Sequence, residues 1–437
     1  MKKICIAPLL VILCLTFGAC SKSNNESNIE VDKDADIVLN NLQKRSLKRG
    51  VSYNFQMPED VDLLAPAVSW FYNWANDISP ELDQAITAKG MDYYPMTWNG
   101  NFNKDKIRAY KQKHPNCAYL LAYNEPNLTD QANMTPAEAA SIWPEVRALA
   151  QELNMKIISP AMNYGTLNGY EDPIKWLDEF FALVPLDEFD GIAIHCYMAV
   201  PSAFKSYVQM FKKYNKPIWM TEFCAWEPSI KNVSQQMKYM VDVVNYMESS
   251  PDVFRYAWFI PRTAGAIENY PFMQLLTKNK PYALSDLGKV YVHMSTQDRS
   301  VYHKLNAGIP AAHYSSLNMA ETANTASWTN SINIRPTSDN VGVLEVFNFT
   351  KDLWLEYQVE MPNDGEYTLD LRYTTYIDAA IAIYSDGDLT GSIDLPDTGS
   401  EKNWNIVSKK IKLKKGQQTI RLKVTKGFTS LSWLRFR

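Results

Sequence analysis

The chain has no Gly-rich phosphate loop after its first apolar run, no long Lys/Arg run and no Gly-x-Ser-x-Gly elbow. The first absence weakens the case for a nucleotide-binding doubly wound sheet. The second, with a net charge of −4, leaves no case for nucleic acid. The third disfavours a Ser-based hydrolase. The five His and six Cys show no short ligand spacing, so neither a metal site nor a cofactor is expected. Beyond the N-terminus no segment is apolar enough to cross a bilayer. Removal of a leader and use of Cys20 leave Cys117, Cys196 and Cys224, an odd set at irregular spacing, which is no disulfide framework. Buried free thiols are expected, although Cys196 and Cys224 each neighbour a strand end and one pairing is conceivable.

Aromatic residues, by contrast, are abundant: 12% of the chain, with 12 Trp and 25 Tyr. Sugar clefts use aromatic faces because pyranose C–H groups pack on them, but the same side chains also fill cores. The first 20 residues read as an export signal: Lys2 and Lys3, an apolar stretch over 4–17, then Gly18-Ala19-Cys20. Cys after small residues resembles a bacterial lipoprotein signal, with Cys20 as the lipidated residue; ordinary secretion is the alternative, since Phe17 is a loose fit. The polar run over 21–36 then forms a solvated tether. A protein of the cell envelope is expected, touching the outer membrane by its lipid anchor only, on its periplasmic or outer side, and monomeric.

At 437 residues the chain is long enough for two domains. Between 50 and about 294, short apolar runs alternate with helix-like segments. Eight runs stand out, at 51–55, 68–71, 93–98, 118–123, 156–160, 191–197, 217–223 and 256–260. Several are almost continuously apolar, as strands buried on both faces should be. Thr135-Pro136-Ala137-Glu138 carries an N-cap, a Pro at the first helical position and a Glu three residues past the cap. Eight strand–helix units predict an α/β fold, a (β/α)₈ TIM barrel. After residue 294 helical periods stop, and alternating strands at 353–359 and 367–373 flank the turn signal Pro362-Asn363-Asp364-Gly365. An all-β sandwich of jelly-roll type is predicted there. The expected boundaries are a signal over 1–20, a flexible tether over 21–45, a barrel over 46–297 and a sandwich over 305–437.

Two carboxylates stand where apolar runs end: Glu125 after the fourth and Glu222 after the seventh. Barrel active sites lie at the C-terminal strand ends. A Glu near a core is costly unless paired or used. Elsewhere such residues are N-caps or ion pairs; two at strand ends suggest a glycosidase acid pair. Leu121-Ala122-Tyr123-Asn124-Glu125-Pro126-Asn127, followed by Gln131-Ala132-Asn133-Met134, resembles glycoside hydrolase family 128 of clan A. So do Ser159-Pro160-Ala161, Trp176-Leu177-Asp178, His195-Cys196-Tyr197 and Trp219-Met220-Thr221-Glu222-Phe223. The resemblance covers about 48–295. It implies a retaining β-1,3-glucanase acting on a β-glucan polysaccharide or oligosaccharide, with Glu125 as general acid/base and Glu222 as nucleophile. Asn124 would donate to the sugar 2-hydroxyl.

Other candidates follow from position. His195 and Tyr197 share one face of the sixth strand; Tyr197 would hold the nucleophile by its hydroxyl, and His195 either joins it or bonds a backbone carbonyl. Trp74, Trp98, Trp226 and Trp258 lie at or just after strand ends, with Trp258 expected to floor the cleaved sugar's subsite. Trp143 and Trp219, inside a helix and a strand, read as core. Asn54, Asn73 and Asn133 either read sugar hydroxyls or satisfy turns. The last 130 or so residues resemble a carbohydrate-binding module of family 6, through Leu355-Glu356-Tyr357, Leu371-Arg372-Tyr373 and Trp433-Leu434-Arg435-Phe436. There Ala312, Ser432 and Ser430 stand where that family carries two calcium-associated acids and a ligand Asn, so no calcium site is expected. Trp404 either stacks on a sugar or anchors its loop. Competing readings are a catalytically silent glycan-binding lipoprotein, and a glycosidase or transglycosylase on another β-glycan.

Overall fold

The computed structural model describes residues 37–40, 42–318 and 331–437. The signal over 1–20, Cys20 and the tether up to residue 36 lie outside the described residues. Strands and helices alternate: β1 Arg49–Ser52, α1 Pro58–Leu64, β2 Trp70–Tyr72, α2 Pro80–Ala88, β3 Asp92–Tyr93, α3 Lys104–Lys113, β4 Tyr119–Leu121, α4 Pro136–Glu152, β5 Lys156–Ile158, α5 Pro173–Leu183, β6 Ile192–Cys196, α6 Pro201–Met210, β7 Ile218–Phe223, α7 Val233–Ser249, β8 Val253–Trp258 and α8 Asp286–His293. Parallel pairing joins β3-β2-β1-β8-β7-β6, and β4 pairs with β5. Bridges Met96↔Leu121, Ile158↔Gly191 and Met162↔Ile194 close the ring. This is the (β/α)₈ barrel. The capping box at Thr135 and Glu138 opens α4 as its sequence indicates.

The lower half of the barrel interior is an aromatic plug. Trp219 lies edge-on to Trp70, Tyr94 and Tyr119, with ring centroids 5.3, 5.9 and 4.7 Å away. The Arg255 guanidinium sits 5.4–5.9 Å from these rings. Two indoles fit inside because the chain beside them, on or next to the neighbouring strands β1 and β6, carries glycine. A Cβ on Gly50 would lie 2.5 Å from the Trp70 ring, and one on Gly191 2.7 Å from that of Trp219. The plug leaves only the upper rim for polar chemistry.

After the barrel come β9 His303–Lys304, β10 Gly308–Pro310, β11 Ser316–Leu317, β12 Asn333–Pro336, β13 Leu344–Thr350, β14 Trp354–Met361, β15 Gly365–Thr374, β16 Ala379–Ser385, β17 Asp388–Leu395, β18 Asn405–Leu413, β19 Gly416–Lys426 and β20 Phe428–Phe436. One sheet runs β12-β13-β20-β15-β18 with β10 on β20; the other runs β11-β14-β19-β16-β17 with β9 on β14. The turn at 362–364 joins β14 to β15 as expected. Strand β17 lacks the apolar alternation that marks the others, because it is an edge strand with only Ile393 and Leu395 buried.

The expected flexible tether ends earlier than residue 45. Asn40 donates its N–H to the Gly308 carbonyl at 2.8 Å, beside the bridge Leu39↔Gly308. Gln43 bonds the Met294 carbonyl at 3.0 Å and accepts from the Thr296 N–H at 2.9 Å. Arg45 reaches the Ala65 and Lys89 carbonyls at 3.2 and 3.0 Å. These residues strap the sandwich to the barrel. The strap begins with the short apolar run Ile37-Val38-Leu39, of which Ile37 and Leu39 are partly buried; three apolar residues directly after a polar stretch are too few to show a period.

Candidate active site

Each carboxylate is aimed by a local departure from regular backbone. Along β6 and β7, Ile194 pairs with Met220 but His195 pairs with Glu222, so the register slips at Thr221. Strict alternation from the inward Trp219 would turn residue 222 outward; the irregularity turns it in. Glu125 follows β4 in the left-handed region, φ 44°, and Trp74 follows β2 likewise, φ 59°. Such a backbone costs a non-Gly residue about 1–3 kcal/mol. Backbone bonds from Asn124 to Trp98 at 2.8 Å and from Glu125 to Ala161 at 3.0 Å hold the loop there.

Glu125 and Glu222 are 6% and 4% exposed and face each other across His195. One oxygen of each and a ring nitrogen of His195 lie within 4.8 Å of one another. Tyr72 Oη and Trp74 Nε1 each donate to Glu222 Oε1 at 2.7 Å. Tyr197 Oη donates to Oε2. Because an indole N–H is donor only, Oε1 must be an acceptor, as in an ionised carboxylate. Burial pushes the Glu222 carboxyl above its ordinary range, and Glu125 pushes the same way; His195, Tyr197 and Trp74 pull it back. His195 Nδ1 lies 2.8 Å from Glu125 Oε1 and 3.5 Å from Glu222 Oε2. Burial works against its charged form, but Glu222 and Glu125 outweigh it and hold the imidazole above its usual value. The three groups are also a conceivable cation cage. Both Glu222 oxygens, however, are already committed to O–H and N–H donors, so the cluster is built for protons.

The remaining candidates divide. Trp226 is 44% exposed and stacks on Phe259, centroids 6.0 Å apart, with Tyr197 edge-on at 5.9 Å. Phe259 also meets Trp74 at 6.0 Å. These rings form an aromatic wall beside Glu222. Trp258 does not join it: the ring is fully buried, donates to the Met273 carbonyl and packs on Phe223 and Tyr291, outside the ring of strands. The expected subsite floor is therefore a core residue, and Phe259 takes the inward position. Asn124 is buried; its Nδ2 already bonds Gln131 at 3.1 Å, and its Oδ1 has no partner among the described residues. Asn73 is spent on structure, accepting from Tyr93 at 2.9 Å and donating to Asp77 at 3.1 Å, with Asn54 3.5 Å away. Asn54 is exposed, as is Asn133, which sits in the left-handed region at φ 50°. Trp98 is half-buried at the end of the third run.

Three contributors are new. Tyr72 shares the inward face of β2 with Trp70, a period-two signal present in the sequence. Phe259 follows the same parity on β8, opposite to Tyr256 and Trp258. Asn163 donates its Nδ2 to Glu125 Oε1 at 3.2 Å from the loop after β5; no pattern marks it.

Residues 50–291 match the glycosyl hydrolase catalytic core family, more than half of the chain. An endo-β-1,3-glucanase of glycoside hydrolase family 128, subgroup II, from Pseudomonas viridiflava is 35% identical over 57% of this chain and 98% of that one, TM-score 0.53. The chain belongs to glycoside hydrolase family 128. A second subgroup II endo-β-1,3-glucanase of the family, from Sorangium cellulosum, is 33% identical over 56% of this chain and 98% of that one, TM-score 0.51. Alkali-sensitive linkage protein 1 of Schizosaccharomyces pombe is 23% identical over 237 residues, 52% of this chain; the match spans only 40% of that protein. This family 128 member is an O-glycosyl hydrolase, and residues 322–437 match carbohydrate binding module family 6. In the sandwich Ala312, ahead of the matched residues, is buried, and Ser432 within them bonds the Val341 carbonyl at 3.2 Å, so neither offers the charged oxygen calcium needs. Trp404 donates to Ser338 Oγ at 3.0 Å and anchors its loop. Cys117, Cys196 and Cys224 are free and buried. No helix among the described residues is long and apolar enough to cross a membrane.

Proposed function

We propose that this enzyme is a retaining hydrolase of β-1,3-glucan acting within the chain, with Glu125 as general acid/base and Glu222 as nucleophile. The separation of the two carboxylates supports the reading: one oxygen of each lies within 4.8 Å of the other, on the scale of retaining pairs, about 5–5.5 Å apart, and short of the roughly 6.5–9.5 Å of inverting ones. Glu222, held by three donors, attacks the anomeric carbon. Glu125 gives its proton to the departing oxygen, then takes one from the water that opens the glycosyl ester. Asn124, beside the acid/base, is the donor assigned to the sugar 2-hydroxyl, which takes the place of its bond to Gln131. Trp226, Phe259 and Trp74 supply the apolar face for the ring. The two subgroup II relatives support both the linkage and internal cleavage. The N-terminal sequence supports an enzyme lipid-anchored through Cys20 in the cell envelope.

A polysaccharide panel tests this. Reducing ends are expected from β-1,3-glucan, as mixed short oligomers, and not from β-1,4- or β-1,6-glucan. Activity on another linkage alone sinks the substrate assignment, and none on any glycan leaves a binding protein.

Tyr197→Phe gives the pH test. Removing that donor lets burial raise the Glu222 carboxyl further. Since the nucleophile must be ionised, the acid limb of kcat/KM moves to higher pH. Loss of a hydrogen bond to a charged group lowers the plateau about 10- to 100-fold. An acid limb that stays put or moves down contradicts the role given to Tyr197.

A further inference from the structure

We propose that Asn163 is a positioning residue that, with His195, fixes which oxygen of Glu125 carries the acid proton; the inference rests on the acid/base role proposed for Glu125. The amide of Asn163 has one orientation open to it. Its Oδ1 accepts the Tyr164 N–H at 2.8 Å, so its Nδ2 is what faces the carboxyl, 3.2 Å from Glu125 Oε1. Its own carbonyl accepts from Nδ2 of the fully buried Asn127 at 2.7 Å, which holds the residue from behind. His195 Nδ1 meets the same oxygen at 2.8 Å.

Three arrangements of hydrogens satisfy these contacts. In one, His195 carries its hydrogen on Nδ1 alone, and Oε1 accepts from both Asn163 and His195. In the second, Oε1 carries the hydrogen and donates it to His195, whose own hydrogen then sits on Nε2. In the third, an imidazolium donates from Nδ1 to Oε1 and carries a further hydrogen on Nε2. The surroundings of Nε2 decide: that nitrogen is buried with no partner. A buried N–H without an acceptor is the rarer and costlier orphan, a bare acceptor the cheaper one. The form with hydrogen on Nδ1 alone therefore prevails, and Oε1 is saturated with donors. Oε2 has no bond to any group among the described residues and is not among the buried unpartnered atoms. The acid hydrogen sits there, on the oxygen left facing the cleft. In the first half-reaction the Oε2–H bond and the bond from C1 to the leaving oxygen break, the leaving oxygen takes the proton, and Glu222 bonds C1. In the second, water gives a proton back to Oε2 and its oxygen to C1 as the C1–Glu222 ester bond breaks.

Asn163→Ala and Asn163→Asp test this beside the wild type, on β-1,3-glucan and on an aryl laminaribioside with an activated leaving group. Removing the donor frees Oε1 to take the proton, turned from the cleft. The expected loss of kcat on glucan is about 10- to 100-fold for Ala, up to the low end of what general acid catalysis supplies, and greater for Asp, whose carboxylate sets an acceptor against Oε1. On the aryl substrate, which needs little proton donation, the loss is below about 3-fold in the same terms. Equal losses on both substrates, or a change in KM alone, overturn the proposal, since a merely structural Asn or a sugar contact behaves so. Neutron diffraction of the unliganded enzyme is independent of any substrate. It is expected to place deuterium on Glu125 Oε2 and His195 Nδ1; deuterium on Oε1 or on His195 Nε2 overturns the proposal even if the enzyme cleaves β-1,3-glucan as expected. A wild type that cleaves no glycan, with deuterium where expected, sinks the reaction and leaves the proton placement standing.

Discussion

Replacing Glu222 by Ala is expected to lower kcat on β-1,3-glucan by about four to six orders of magnitude, the scale of losing a covalent nucleophile, while glucan binding survives. The size follows from what surrounds it. Tyr72, Trp74 and Tyr197 all present hydrogens to this one carboxylate. Azide fitting the space left by the side chain is expected to restore turnover and give an α-glycosyl azide, with inverted configuration. Glu125→Gln behaves differently: the first step on an aryl glycoside with a good leaving group is partly kept, because such a group needs no proton, while the base for the second step is lost. Equal loss on every substrate for Glu125→Gln, or a β-glycosyl azide from Glu222→Ala, means that the two roles have been exchanged or do not exist.

Arg49→Ala is expected to destabilise the barrel by about 3–5 kcal/mol, the cost of leaving a buried partner charge uncompensated. Arg49 opens β1 and is fully buried. It pairs with Glu248 Oε1 at 2.9 Å, with Tyr256 Oη at 2.9 Å, and with the Tyr291 and Ser295 carbonyls at 2.8 Å each. It therefore fastens β1 to α7, to β8 and to the segment leading out of α8. Its removal leaves the Glu248 carboxylate buried and two carbonyls without a donor. Denaturant unfolding measures the loss. An Arg49→Met/Glu248→Leu double variant should recover much of it, because apolar replacements of both partners leave no orphan charge. If Arg49→Ala costs less than about 1 kcal/mol, the range of an exposed pair, the buried network is not what holds that corner.

The eight apolar runs were legible because barrel strands are buried on both faces, and continuous apolar stretches say so directly. What the runs do not carry is the direction of individual side chains at their ends. Alternation from Trp219 puts residue 222 outside, and only the slip at Thr221 brings Glu222 in. On β8 the reverse happened: alternation was intact, and the parity of Tyr256 and Trp258 already set Trp258 outside and Phe259 inside. Asn163 was invisible for a different reason. It lies in a loop, and its role comes from three hydrogen bonds to partners at 125, 127 and 164. The strap over 37–40 and 42–45 falls inside the expected tether because the apolar Ile37-Val38-Leu39 is too short a run to show a period after the polar stretch over 21–36.

The stereochemistry of the first product bears most directly on the proposed double displacement. Proton NMR of a laminari-oligosaccharide digest, recorded in the first minutes before mutarotation, should show the new reducing end entirely as the β-anomer. An initial α-anomer would mean a single displacement by water and would contradict the account at its root.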